Sequence, residues 1–86
     1  MKISRTGSFN KDYQHLPARV QEAFEKKMRL FAQNTRHPSL RIKKMKGFQN
    51  RWEGSIDMFY RFTFEIHGDR YLFRRIGPHD EILRNP

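Results

Sequence analysis

Cysteine is absent from this 86-residue chain, tryptophan occurs once, and acidic residues number only nine. Without cysteine, no disulfide supports the fold and no thiol serves as nucleophile or metal ligand. The lack also fits a reducing compartment. Five glycines and four prolines are too few for a low-complexity linker, and no internal repeat is visible, so residues 1–86 read as a single domain. No apolar run approaches the roughly 18–20 residues that a membrane helix needs. Met1-Lys2-Ile3-Ser4-Arg5 is followed by no apolar stretch, so no signal peptide is expected and the expected location is cytoplasmic. No helix pairs a wholly basic face with a lipid-ready apolar one, so no membrane partner is expected. No glycine-rich phosphate loop or Ser–His–Asp spacing occurs, and His79 with Asp80 is too small a ligand set for zinc. Neither cofactor nor metal is expected.

What the chain has is aromatic rings and cations. A domain this short buries only about 60–65% of its unfolded surface. Its core must therefore come from eight Phe, three Tyr and one Trp, since each large ring buries roughly 150–250 Å². Eighteen Lys and Arg face nine Asp and Glu, a net charge of +9. Such self-repulsion points to a phosphate-bearing partner, a nucleic acid above all. The plainer reading is a basic, well-solvated surface.

Hydrophobic spacing sets the order of elements. Residues 3–8 form at most a short edge strand, with Ile3 its one apolar residue. Ser8 or Asn10 is the expected cap of a first helix, on which Phe9, Tyr13 and Leu16 make one stripe. That helix ends before Pro17, which opens a second one running to about Gln33. Val20, Ala23, Phe24, Met28 and Phe31 line its apolar face, and Glu22–Lys26 and Glu25–Arg29 have the spacing of i,i+4 ion pairs. Residues 34–39 make a loop. Strands follow at 40–46, 51–57, 59–66 and 70–76, with turns at 47–50 and at His67-Gly68-Asp69, and a short tail from His79. The expected fold is α+β, in the order β-α-α-β-β-β. Two N-terminal helices pack on one face of a mostly antiparallel sheet of three to four strands.

Strand parity then assigns faces. If Tyr60, Phe62, Phe64 and Ile66 meet the helices, Arg61, Thr63 and Glu65 point to the open face. Trp52, Gly54 and Ile56 fall on the core side, with Glu53, Ser55 and Asp57 opposite. Trp52 is thus a core residue and not a stacking platform. By the same parity Arg74 and Arg75 point to opposite faces, so one of them joins any open-face site.

The stretches Leu16-Pro17 with Val20-Gln21, His37-Pro38-Ser39-Leu40, Lys43-Lys44-Met45-Lys46-Gly47, Trp52-Glu53, Tyr60-Arg61 and Ile76-Gly77-Pro78-His79-Asp80-Glu81, in this order, resemble the RelE/ParE superfamily of toxins. The resemblance spans nearly the whole chain. It implies the toxic half of a type II toxin–antitoxin pair: a metal-independent mRNA endoribonuclease acting on ribosome-bound mRNA. The alternatives are a ParE-like inhibitor of DNA gyrase and a non-catalytic relative that binds its antitoxin. It also implies mRNA and the ribosome as partners, and a cognate antitoxin whose acidic segment covers the basic open face.

Cleavage of this kind has the ribose 2′-OH attack the adjacent phosphate and expel the 5′-oxygen. It needs a base, an acid and cations. The resemblance makes Arg61 the phosphate clamp, a role suited to its planar fork; the plainer reading is an exposed strand arginine. His79 lies where some branches carry a catalytic histidine, and an imidazole exchanges protons near neutrality; otherwise it is a solvated tail residue. Glu53 is either a base or an ion-pair partner. Lys43, Lys44 and Lys46, with Arg51, Arg74 and Arg75, are the expected RNA- and phosphate-binding cations. The chain also departs from the family. RelE carries two lysines on the strand where Trp52 and Gly54 stand. Nothing aromatic follows Phe73, so the base-stacking C-terminal tyrosine of that branch has no counterpart.

Overall fold

A computed structural model describes residues 1–86. The chain opens with strand β1 (Lys2–Arg5), followed by helices α1 (Gly7–Gln14) and α2 (Ala18–Gln33) and a 3₁₀ turn at Pro38–Leu40. Strands β2 (Lys43–Lys44), β3 (Trp52–Ser55), β4 (Tyr60–His67) and β5 (Arg70–Pro78) come next, and a one-turn helix, α3 (His79–Ile82), follows. No helix is long and apolar enough to cross a membrane.

Thr6, rather than Ser8 or Asn10, caps α1. Leaving β1 in extended backbone, its Oγ1 accepts from the Phe9 N–H at 3.0 Å and donates to the Arg74 carbonyl at 2.8 Å. The helix therefore starts at Gly7 and is tied to β5 at its first turn. Pro17 stands just outside α2 as its cap residue. Neither expected i,i+4 ion pair closes. Glu25 instead accepts from the Tyr13 hydroxyl at 2.7 Å and meets Arg5 at 3.9 Å. A partner on a neighbouring element competes better than an exposed side chain one turn away. Burial, then the Glu25 hydrogen bond, raises the Tyr13 pKa above its usual 10.0. The Arg5 guanidinium lies 5.1 Å from the centre of the Phe9 ring, where a cation is attracted by the π face.

The sheet has five strands, not three or four, in the order β1-β5-β4-β3-β2. Its edges are β1, the short strand expected near Ile3, which runs parallel to β5, and the two-residue β2 on the other side. The remaining pairs are antiparallel. The strand expected over 40–46 shrinks to β2, because Leu40 is spent in the 3₁₀ turn and fully buried there. Phe9, Phe24, Phe31, Phe62, Phe64 and Phe73 are all essentially inaccessible and pack ring against ring between helices and sheet. Gly54 sits opposite Phe62, whose ring lies directly over it. A methyl there would collide with that ring and approach Ile42 Cδ1 to 2.8 Å.

The register supports the expected faces on β3 and β4: Gly54 pairs with Phe62 on the core side, and Glu53 pairs with Thr63 on the other. On β5 the alternation breaks. Thr63 pairs with Arg75 and Phe64 with Phe73, leaving Arg74 as an extra residue in a bulge. Arg74 bonds Glu65 and Arg75 lies across from Thr63, so both arginines leave by the open face. The expectation that they part company is overturned by this bulge, which a strict period of two does not anticipate. The far face is also drier than expected. Thr63 is fully buried and its hydroxyl donates to the Pro86 carbonyl, while Arg74 Nε donates to the same oxygen. The segment expected as a loose tail folds back, with Ile82 buried against Gly77.

Candidate nucleic-acid interface

The turn between β3 and β4 is built around Asp57. Its Oδ1 accepts from the N–H groups of Phe59 and Tyr60 at 2.8 and 2.9 Å, the side-chain-to-backbone pattern of an Asx turn. Arg61 closes the same turn by donating to the carbonyls of Asp57 and Tyr60 at 2.5 and 3.0 Å. Arg61 is half-buried and pairs with no carboxylate. Two neutral carbonyls fix its direction and leave its charge uncompensated. A planar guanidinium anchored on one side still has N–H groups for an anion on the other.

His79 arrives from the other direction. Its backbone N–H donates to the Phe59 carbonyl at 2.7 Å, which fastens the start of α3 to the 57–60 turn. The ring is about half exposed, and Nδ1 lies 3.2 Å from Asp80 Oδ1. Arg61 and His79 line one depression of about 300 Å³, together with Met58, Phe59, Pro78 and Asp80. A second hollow, of about 420 Å³, continues from it through Met58 and Arg61 to Lys27 and Arg41.

The other residues singled out in the sequence lie outside the Arg61–His79 depression. Glu53 is 6% exposed, and its carboxylate faces Lys43 Nζ at 3.4 Å. Of its two readings, the geometry is that of an ion-pair partner. Lys44 and Lys46 are exposed and unpaired at the β2 edge. Arg51 and Arg74 both meet Glu65 Oε2 at 2.7 Å, and His67 Nε2 meets Oε1 at the same distance. Burial alone would raise the Glu65 pKa, but the His67 hydrogen bond and the two guanidiniums outweigh it and hold the carboxyl below its usual 4.5. Arg75 is clamped by Asp12 at 2.6 Å and donates to the Asn85 carbonyl. That hydrogen bond to Asp12, partly offset by burial, raises its pKa further above the usual guanidinium value. The charges of Arg51, Arg74 and Arg75 are thus largely satisfied within the molecule. Trp52, half-buried on the core side, borders another cavity, lined by Phe31, Ile42 and Tyr71 on one side and by Arg36, His37 and Arg41 on the other.

Lys27, Arg41, Met58 and Phe59 were not singled out as site residues. Lys27 sits on a helix read for its apolar stripe, and Arg41 turns outward through a left-handed backbone (φ 49°) that closes the 3₁₀ turn. An Asp two residues before an aromatic, between two strands, was the available signal for the 57–59 turn.

A helix pair laid on a five-stranded sheet, with an unpaired guanidinium and a half-exposed imidazole at one end, makes a small basic α+β protein with the architecture that the sequence resemblance implies. No protein-family profile matches the chain. It is 29% identical over 82 residues to the toxin RelE3 of Methanocaldococcus jannaschii, across 88% of each chain. Among solved structures it is similar to the RelB–RelE antitoxin–toxin complex of Methanococcus jannaschii, with a TM-score of 0.73, 26% identity, and coverage of 96% of this chain and 99% of that one. A YoeB/ParE toxin of Agrobacterium tumefaciens gives a TM-score of 0.76 at 24% identity, covering 92% and 99%. YafQ of E. coli gives 0.77 at 15%, covering 94% and 96%. In sequence and in fold, along nearly the whole chain, it is thus similar to toxins of the RelE/ParE superfamily.

Proposed function

We propose that this protein is the toxin of a type II toxin–antitoxin pair and that it cleaves mRNA on the ribosome without a metal. The observation that carries the reading is the shared depression of Arg61 and His79. In the reaction the ribose 2′-oxygen bonds to the neighbouring phosphorus and the bond from phosphorus to the 5′-oxygen breaks. A 2′,3′-cyclic phosphate and a free 5′-hydroxyl result. Arg61 holds the phosphate oxygens as charge accumulates on them. The His79 imidazole moves a proton at the reacting oxygens, with Asp80 orienting its ring. Glu53, buried and paired with Lys43, takes no part. Lys27, Arg41, Lys44 and Lys46 supply the unpaired cations that hold the flanking strand.

The relatives solved as toxin–antitoxin complexes support a second component. An acidic antitoxin segment laid over Arg61, Lys27 and Arg41 would screen the charge and shut the depression together.

Toe-printing of an mRNA in a translation extract tests the activity. Cleavage is expected with the wild type and is expected to fall by about 10²–10⁴-fold in His79→Ala, the usual worth of a general acid–base group. Arg61→Ala is expected to lose about 10²–10³-fold, the scale for one preorganised charge donor. Full cleavage by His79→Ala would remove the imidazole from the mechanism.

A further inference from the structure

Six of the eight phenylalanines build the core, and two do not: Phe48, in the turn before β3, and Phe59, in the turn after it. Phe59 is 67% exposed, its neighbour Met58 is 80% exposed, and the Phe59 ring forms none of the aromatic pairs that fill the interior. Folding gains little from this placement, since both side chains stay mostly in water.

The turn that presents them is nevertheless held from three sides. Asp57 caps its amides, Arg61 grips its carbonyls, and the His79 N–H bonds the Phe59 carbonyl. An apolar ring carried in the open on an anchored backbone is an arrangement suited to stacking on a flat ligand. What surrounds it is cationic: Arg61 and His79 share its depression, and Lys27 and Arg41 line the adjoining hollow.

Resting on the nuclease reading above, we infer that Phe59 is a nucleobase ledge: its ring stacks on the base next to the phosphate held by Arg61, with Met58 closing the outer edge. Aromatic stacking is tolerant of base identity, since every base offers a π face. The ledge adds affinity for an unpaired base while leaving the cations to hold the backbone. It comes from the β3–β4 turn and so needs no aromatic residue after Phe73. A protein-docking role for the same two side chains is the competing use. The cationic setting favours RNA, because a base arrives with a phosphate on either side of it.

The test is equilibrium binding of two fluorescein-labelled hexamers carrying 2′-O-methyl groups, which remove the attacking hydroxyl. One is oligoadenylate and the other is an abasic ribose-phosphate strand. Phe59→Ala is expected to weaken oligoadenylate by between about fivefold and about a hundredfold, the range of base–aromatic stacking, and to leave the abasic strand unchanged. Phe59→Trp is expected to restore binding, with its indole emission quenched by oligoadenylate and not by the abasic strand. The ledge is overturned if Phe59→Ala binds oligoadenylate as the wild type does, if it loses both strands equally, or if neither strand binds the wild type. Phe59 would then be left as an anchor for a protein partner. Base-dependent binding through Phe59 in a protein that cleaves no mRNA would instead keep the ledge and remove the nuclease.

Discussion

Asp12 illustrates how single side chains settle questions that residue type leaves open. It accepts from Arg75 Nε at 2.6 Å and from the Ile76 backbone N–H at 3.2 Å, where β5 has run past the end of β1 and has no strand on that side. One carboxylate thus substitutes for a missing ladder bond and takes an arginine out of any phosphate site. Asp12→Ala leaves a partly buried amide and guanidinium unpaired, and should cost about 1–3 kcal/mol in urea unfolding. Arg75→Ala should then change RNA affinity little, because its charge is already matched. Whether an arginine is free or paired was not legible from the sequence: Arg51, Arg61, Arg74 and Arg75 differ only in what the folded chain brings beside them. Arg61 alone among them meets carbonyls instead of carboxylates.

At the scale of elements, periodicity was a good guide wherever a stripe of rings faced the core. The stripes of α1 and α2 and the alternation along β4 correspond to buried Phe9, Phe24, Phe31, Phe62 and Phe64. It failed where the backbone steps out of period. The Arg74 bulge and the 3₁₀ turn at Leu40 are set by tertiary packing, which no local pattern encodes. Gly54 shows the reverse dependence, since its lack of a side chain is what lets Phe62 lie flat across β3. Gly54→Ala is expected to destabilise the protein by about 1–3 kcal/mol, the usual cost of overpacking, seen as a lower urea midpoint with an unchanged slope. Phe62→Leu in the same chain should recover part of that loss by making room.

The whole molecule carries its +9 unevenly. Around Glu65 one carboxylate offsets part of the charge of two guanidiniums, whereas Lys27, Arg41, Lys44 and Lys46 have no ion-pair partner within 4.0 Å. Neutralising Lys44 and Lys46 together should flatten the salt dependence of RNA binding by about 1.4 units, at ~0.7 per phosphate contact on a single strand. The Glu65 cluster makes a separate prediction for stability against pH. Its folded carboxyl lies below the usual 4.5, so the unfolded chain takes up the proton first. The contribution is complete at neutral pH and is lost as pH falls below about 4.5 and through the folded value. Glu65→Gln should therefore be less stable than the wild type at pH 7, with the gap closing under acid; a gap constant from pH 7 to pH 3 would show that ionisation is not what matters.

Strand β5 lies between β1 and β4, yet it is translated after both. Lys2 must wait for Arg70 before it has a neighbour, and the ring cluster lacks Phe73 until the same stretch has emerged from the exit tunnel. Residues 1–69 must therefore be made before the sheet can close, as expected where distant pairings dominate. On the proposed function, the ribosome producing the chain is thereby spared: the nascent chain carries Arg61 and Phe59, but not yet the scaffold that aims them.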